Sequence, residues 1–89
     1  MPQPLHIVAA GNTLAPALAE LVSLGFFVSR IVVPGPSEPF LRADKLDLVL
    51  DASDPLELLG LAILAERRGA AWAPSDNEVD ALLKLQGVV

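Results

Sequence analysis

Hydrophobic residues recur with two different spacings along the chain, and the change of spacing predicts the order of its strands and helices. Residues 5–10 form a short apolar run that stops at a glycine, as a buried strand does. Leu14, Leu18 and Leu21 then follow one face of a helix, which Gly25 ends. The start of the chain therefore predicts a strand followed by a helix.

The middle of the chain predicts further strands around a proline-rich loop. Residues 26–33 are aromatic and β-branched, which favours a strand, and the three prolines in residues 34–39 rule out a helix or a central strand there. Farther on, Leu46, Leu48 and Leu50 alternate with other residues. This period of two predicts a strand with one face in solvent, which is more typical of antiparallel than of parallel sheets.

Two helices are predicted in the last third, and both have marked ends. Asp54 stands at the N-cap of a helix over Pro55–Arg68, with proline in the first position and an acidic residue in the first turn. Two arginines fill its last turn and Gly69 follows. Ser75 and Glu78 repeat the capping signature before a final helix.

These elements predict a single compact α+β domain over residues 1–89. We expect a small mixed sheet of three to four strands, with about three helices packed mainly on one face. A chain of this length can build one hydrophobic core that buries roughly 60 to 68% of the surface of the unfolded chain.

The central helix, Pro55–Arg68, is apolar on all sides. Within residues 56–65 every position except Glu57 and Gly60 is Leu, Ile or Ala. A helix without a polar stripe is normally buried on every side, and so small a chain has little material to cover it. We therefore predict an interface with a second copy or a dedicated protein partner, formed by Leu56, Leu58, Leu61 and Leu64. The alternative is that the chain's own sheet covers the helix.

The net charge of the chain limits the kinds of molecule that it is expected to bind. Hydrophobic residues make up 53% of the chain and the net charge is −5. Nine of the eleven acidic residues follow position 43, against four of the six basic ones. Such a chain repels nucleic acid backbones. The composition favours a non-catalytic protein-interaction or regulatory module, of which an immunity or antitoxin protein that masks a basic partner is a special case.

The turn after the first predicted strand is the best candidate for a ligand site. Residues 9–16, AAGNTLAP, contain one glycine and no lysine, so they match neither a P-loop nor a dinucleotide-binding turn. Asn12 and Thr13 are suited to cap the following helix. They form, with His6 and Asp51, the alternative hypothesis: a small anion- or metabolite-binding protein or a minor enzyme, since helix N-termini attract anions.

Other chemistry has weaker support. Asp47, Asp51 and Asp54 are carboxylates that a metal ion can use, but a solvent-facing strand and a helix cap explain them. His6 is the only histidine, and no serine lies in a nucleophile elbow. We therefore expect no catalytic residue, no metal and no cofactor.

Cysteine content, the first residues and the length of the apolar runs predict the cellular compartment. There is no cysteine, the first residues lack the features of a secretory signal, and no apolar run approaches 20 residues. These features predict a cytoplasmic protein that neither spans a membrane nor uses disulfides.

The last third of the chain resembles a segment of short bacterial α+β proteins of unknown function. In those proteins a helix beginning Asp-Pro, an Arg-Gly turn, a tryptophan and an acidic helix follow a small sheet. The residues that carry the resemblance are Asp54, Pro55, Leu59, Gly60, Arg68, Gly69, Trp72, Pro74, Asp76 and Glu78. The resemblance implies a bacterial source and no activity. Trp72 is expected to anchor the last helix to the core.

Overall fold

The computed structural model describes residues 3–87 and is an α+β fold. Its helices are α1 (Leu14–Ser23), α2 (Pro55–Arg68) and α3 (Asp76–Leu85), and its strands are β1 (Phe27–Ile31), β2 (Phe40–Lys45) and β3 (Leu48–Ala52). One-turn 3-10 helices, Gly11–Thr13 and Gly69–Ala71, precede α1 and follow α2. The predicted bounds of α2 are confirmed.

The three strands form an antiparallel sheet in the order β1-β2-β3. Val28, Ala43 and Leu50 stand opposite one another across the strands, so they share one face, which we call the inner face. Phe27, next to Val28, and Val49, next to Leu50, lie on the other side, the outer face. The sheet differs from the predicted mixed sheet because it contains no parallel strand.

Residues 5–10, predicted as the first strand, belong to neither a strand nor a helix. Leu5 is 87% exposed, and Ile7 and Val8 are exposed as well. A strand needs a neighbour that satisfies its backbone groups, and within residues 3–87 none pairs with this segment. The strand prediction is therefore wrong for the single chain, although the sequence pattern is that of a strand.

The start of α1 also differs from the prediction. The chain enters the helix through the Gly11–Thr13 turn, and neither Asn12 nor Thr13 caps a helix with its side chain. The Thr13 hydroxyl instead donates to the carbonyl oxygen of Ala10 at 2.7 Å. The intervening 3-10 turn explains the difference. The Thr13 hydroxyl donates across that turn to Ala10, so it does not accept a capping hydrogen bond from a backbone N–H of α1.

The caps of α2 and α3 follow the prediction. The Asp54 carboxylate accepts from the backbone N–H of Glu57 at 2.8 Å, and Gly69, with φ 56°, ends the helix in the left-handed region. Ser75 and Glu78 form a complete capping box at α3. These hydrogen bonds join residues only three positions apart, so both helix starts are specified by local sequence.

The core is small and lies between the inner face of the sheet and two helices. Leu21 of α1, Leu58 of α2 and Ala43 of β2 are fully buried in it. Phe26 and Ala62 complete the cluster, and partly buried side chains of the sheet pack against it. Leu21 and Leu58 are its largest fully buried side chains, so the stability of the fold depends on them most.

Candidate interaction surface

The four leucines of α2 that were predicted to form an interface lie in two different environments. Leu58 is completely buried in the chain's own core, so it has no surface to offer a partner. Leu56, Leu61 and Leu64 remain partly exposed. The core therefore covers one side of the apolar helix, and its other flanks stay open.

A groove runs between the exposed flank of α2 and β3. It has a volume of about 630 Å³, and its walls include Leu61 and Leu64 of α2, Trp72, and the whole of β3 up to Asp51. Trp72 is 61% exposed, so the prediction that it anchors the last helix to the core is wrong. The turn Gly69–Ala71 carries it to the wall of the groove instead.

Exposed apolar side chains extend beyond this groove. They include Leu5, Ile7 and Val8 before α1, Phe27 and Val49 on the outer face of the sheet, and Val79, Leu82 and Leu85 on α3. Leu82 and Leu85 are three residues apart in α3 and share one side of that helix. Apolar side chains are therefore exposed on the segment before α1, on the sheet and on α3 as well as in the groove.

The exposed area can be compared with that of compact monomers. The chain has an accessible surface of 7148 Å², whereas a compact monomer of its mass has about 5,000 Å². Its radius of gyration is 15.9 Å, against roughly 12 Å for a compact domain of this length. The excess, on the order of 2,000 Å², is of the size that one subunit of an obligate dimer buries.

An ion pair fixes the polar centre of the outer face. Arg42 Nε donates to Asp51 Oδ1 at 2.8 Å and Arg42 Nη2 to Asp51 Oδ2 at 3.1 Å, a bidentate arrangement across β2 and β3. The guanidinium also lies 5.6 Å from the centre of the Phe40 ring. Its hydrogen bonds hold the pKa of the Asp51 carboxyl below the usual value. Asp51 is thus committed to Arg42.

A second ion pair joins α2 to α3. Arg68 Nη2 donates to Glu78 Oε1 at 2.8 Å, and the same oxygen accepts from the backbone N–H of Ser75 at 2.8 Å. The hydrogen bond from Arg68, followed by that from Ser75, lowers the pKa of Glu78 from 4.5 to about 2. Glu78 therefore caps α3 and at the same time ties it to α2.

Acidification is expected to release this tie. The pKa of Glu78 in the folded chain lies below its ordinary value of 4.5. The ion pair between Arg68 and Glu78 therefore makes its full contribution to stability above pH 4.5, and this contribution is lost as the pH falls through about 2. The Arg68 and Glu78 side chains are 34% and 44% exposed, so the effect is local and small in free energy. The carboxyl ¹³C shift of Glu78 should titrate with a midpoint near 2, and amide exchange in α3 should accelerate over the same range.

The Arg68→Gln variant is the control for that titration. Without the guanidinium, the midpoint of Glu78 should rise toward 4.5. A midpoint that is the same in both proteins would contradict the role given to Arg68.

The four residues of the alternative ligand site lie in different surroundings. Asn12 and Thr13 line a depression of about 470 Å³ beside Leu56 and Leu59, whereas Asp51 lines the groove along β3. His6 is exposed in the segment before α1. The ligand hypothesis thus rests on the turn alone, where the Thr13 hydroxyl already bonds Ala10.

Two of the three aspartates that suggested a metal, Asp51 and Asp54, are occupied by protein partners, whereas Asp47 lies in the turn between β2 and β3. Asp51 pairs with Arg42, and Asp54 caps α2. Among residues 3–87 there is no group of three His, Asp or Glu side chains placed to hold a metal ion. In the same part of the chain, no helix is long and apolar enough to cross a bilayer.

Sequence reasoning missed two features of the surface: the free edge of β3 and the position of Trp72 beside it. The tryptophan, the single one in the chain, was a visible signal, because a large aromatic between two helices often contacts a partner. The strand order, which decides that β3 is an edge, has no comparable signal. No protein-family model, curated protein or solved structure matches the chain.

Proposed function

We propose that this chain is a non-catalytic protein-interaction or regulatory module whose working form is a homodimer held together through α2. In this proposal α1 and α2 cover the inner face of the sheet, and the open flank of α2 with Leu61 and Leu64 meets the second copy. The bacterial source implied by the resemblance remains part of the proposal.

The observation that supports it most is the excess of exposed surface over a compact monomer of the same mass. Roughly 25 cal/mol is gained for each Å² of apolar surface removed from water, so an interface of 1,000 Å² or more per copy outweighs the entropy lost on association. The exposed apolar side chains of α2 and the neighbouring groove supply such an interface.

The net charge of the chain distinguishes a second copy from a basic partner. Each copy carries a net charge of −5, so two copies repel each other at long range while their apolar surfaces attract at contact. A basic partner of the immunity or antitoxin kind would instead gain from the charge. Added salt should therefore strengthen the binding of a second copy and weaken the binding of a basic partner.

Added salt is expected to tighten self-association. Raising the ionic strength from about 0.02 M to about 0.5 M shortens the screening length several-fold and weakens the repulsion between copies. Sedimentation velocity over a range of protein concentrations should show a species of twice the 9.4 kDa chain mass, with a dissociation constant that falls as salt rises.

Two results would count against the dimer. A species of 9.4 kDa at every protein and salt concentration overturns it. Assembly that weakens as salt rises shows that attraction between charges holds the complex together, which contradicts the apolar interface.

A further inference from the structure

The outer edge of β3 is an unpaired strand edge beside an apolar wall. In the order β1-β2-β3, β3 is terminal, and within residues 3–87 no strand pairs with its second side. The groove walled by Leu61, Leu64 and Trp72 follows this edge. Exposed edges of this kind are templates for an added strand, with backbone hydrogen bonds giving affinity and side-chain pockets giving specificity.

The segment of residues 3–10 has a strand-like sequence but belongs to no strand or helix in the single chain. Its apolar residues Leu5 and Ile7 alternate with His6, and it contains no acidic residue. Its eight residues can span roughly 26 Å in a strand, longer than the five residues of β3 need. The segment therefore has the length and the side-chain pattern that the edge of β3 accepts.

In its own chain this segment lies on the wrong side of α2. Ile7 and Val8 line the depression that includes Leu56 and Leu59. Leu59 and Leu61 are two residues apart, about 200° around the helix, so the groove is on the opposite flank. A second copy can deliver the segment to the groove without passing α2.

We propose that the two copies exchange these segments, so that residues 3–10 of each copy add as a fourth strand to the β3 edge of the other. This inference rests on the proposed homodimer and specifies how it is built. Exchange of an identical element is a common route to dimers. It also explains why a strand-like sequence occurs in a segment that is not a strand in the single chain.

The register follows from the two faces of the sheet. With Leu5 and Ile7 directed toward the inner face, they continue the row of Leu48 and Leu50 beneath α2, and His6 falls on the outer face with Asp51. A shift by one residue would place His6 against the leucines instead. From Leu5 onward the inner side of the added strand is then wholly apolar, whereas its outer side carries Val8 beside His6.

Pairing of β3 with a second β3 is the competing arrangement, and charge opposes it. It would bring the acidic ends of both edges together, where Arg42 neutralises Asp51 but no side chain of residues 3–87 forms an ion pair with Asp47. The uncharged segment with a single histidine avoids this repulsion. Charge therefore favours the segment as the occupant of the groove.

Cross-linking tests the exchange directly, because the chain has no cysteine of its own. In the Ile7→Cys/Leu64→Cys variant, oxidation at a concentration that favours the dimer should give a covalent dimer linked between positions 7 and 64. The control variant Ile7→Cys/Val22→Cys, which has its second cysteine on the exposed side of α1, should give little of this product.

The other outcomes separate the two proposals. A disulfide within one chain shows that the segment closes its own groove and overturns the exchange. A dimer by sedimentation without the link between positions 7 and 64 also overturns the exchange but leaves the proposed function standing. A chain that stays monomeric overturns both.

Proline variants supply an independent readout. Adjacent residues of a strand direct their N–H groups to opposite edges, so one of Ile7→Pro and Val8→Pro removes a donor to β3 and should weaken the dimer at least ten-fold. Val8→Thr, which keeps β-branching, should change the affinity little. Ile7 and Val8 are 69% and 64% exposed in the single chain, so the thermal unfolding of the dilute monomer should be the same for all three variants. Dimer affinity that is unchanged in both proline variants overturns the exchange.

Discussion

Replacing Leu61 and Leu64 with aspartate is expected to weaken the dimer by about 100-fold or more while leaving the fold intact. Both side chains are partly exposed in the single chain and lie in the groove wall. Burying their remaining surface in an interface contributes roughly 3 kcal/mol for the pair, and about 1.4 kcal/mol corresponds to a factor of ten in the dissociation constant. An aspartate left in an apolar interface adds a desolvation cost. Sedimentation across a concentration series measures the change.

Ile63→Asp is the matched control. Ile63 and Leu64 are exposed to the same degree, 44% and 43%, but successive helical residues point about 100° apart. The control should leave the dimer within about three-fold of the original while introducing the same single charge as Leu64→Asp alone. If Ile63→Asp weakens the dimer as much as Leu64→Asp does, added charge and not the groove is the cause, and the assignment of the interface is wrong.

Truncating Leu21 or Leu58 to alanine is expected to cost about 2 to 5 kcal/mol in the free energy of unfolding. Both leucines are fully buried, and the core has few other large members to close the cavity. A small domain has only about 5 to 15 kcal/mol of stability, so either variant should unfold at much lower urea concentration.

Leu18→Ala is the control in the same helix as Leu21. Leu18 is exposed, so its truncation should cost less than about 1 kcal/mol. All three variants are best compared in the background of Leu61→Asp and Leu64→Asp, because dissociation of a dimer adds a concentration-dependent contribution to unfolding. A cost for Leu18→Ala as large as that for Leu21→Ala would contradict the described core.

The helix signals were the most reliable part of the sequence because they act locally. Asp54, Ser75 and Glu78 satisfy backbone groups within three residues of themselves, so the same bonds form whatever surrounds the helix. Thr13 shows the limit of that reasoning. Its position favours a cap, yet a single 3-10 turn redirected its hydroxyl to Ala10.

The strand prediction for residues 5–10 failed for the opposite reason. A strand is defined by its partner, and a run such as residues 5–10 cannot indicate which edge it meets or in which copy of the chain. The prediction that the chain's own core leaves part of the apolar surface of α2 uncovered agrees better with the structure, since the absence of a polar stripe is visible in the sequence. Which flank is open was decided by the packing that took Leu58 into the core.

What the sequence by itself determined are the short-range features: the bounds of α2, the caps of α2 and α3, the alternation that made β3 a strand, and the acidic second half of the chain. Only the tertiary structure decided that β3 is a free edge, that Leu58 is core while Leu64 is surface, and that Arg42 pairs with Asp51. The physical reason is the separation along the chain of the residues that interact. Capping and periodicity depend on neighbours a few residues away, whereas an edge, a groove or an ion pair across strands depends on how distant segments meet.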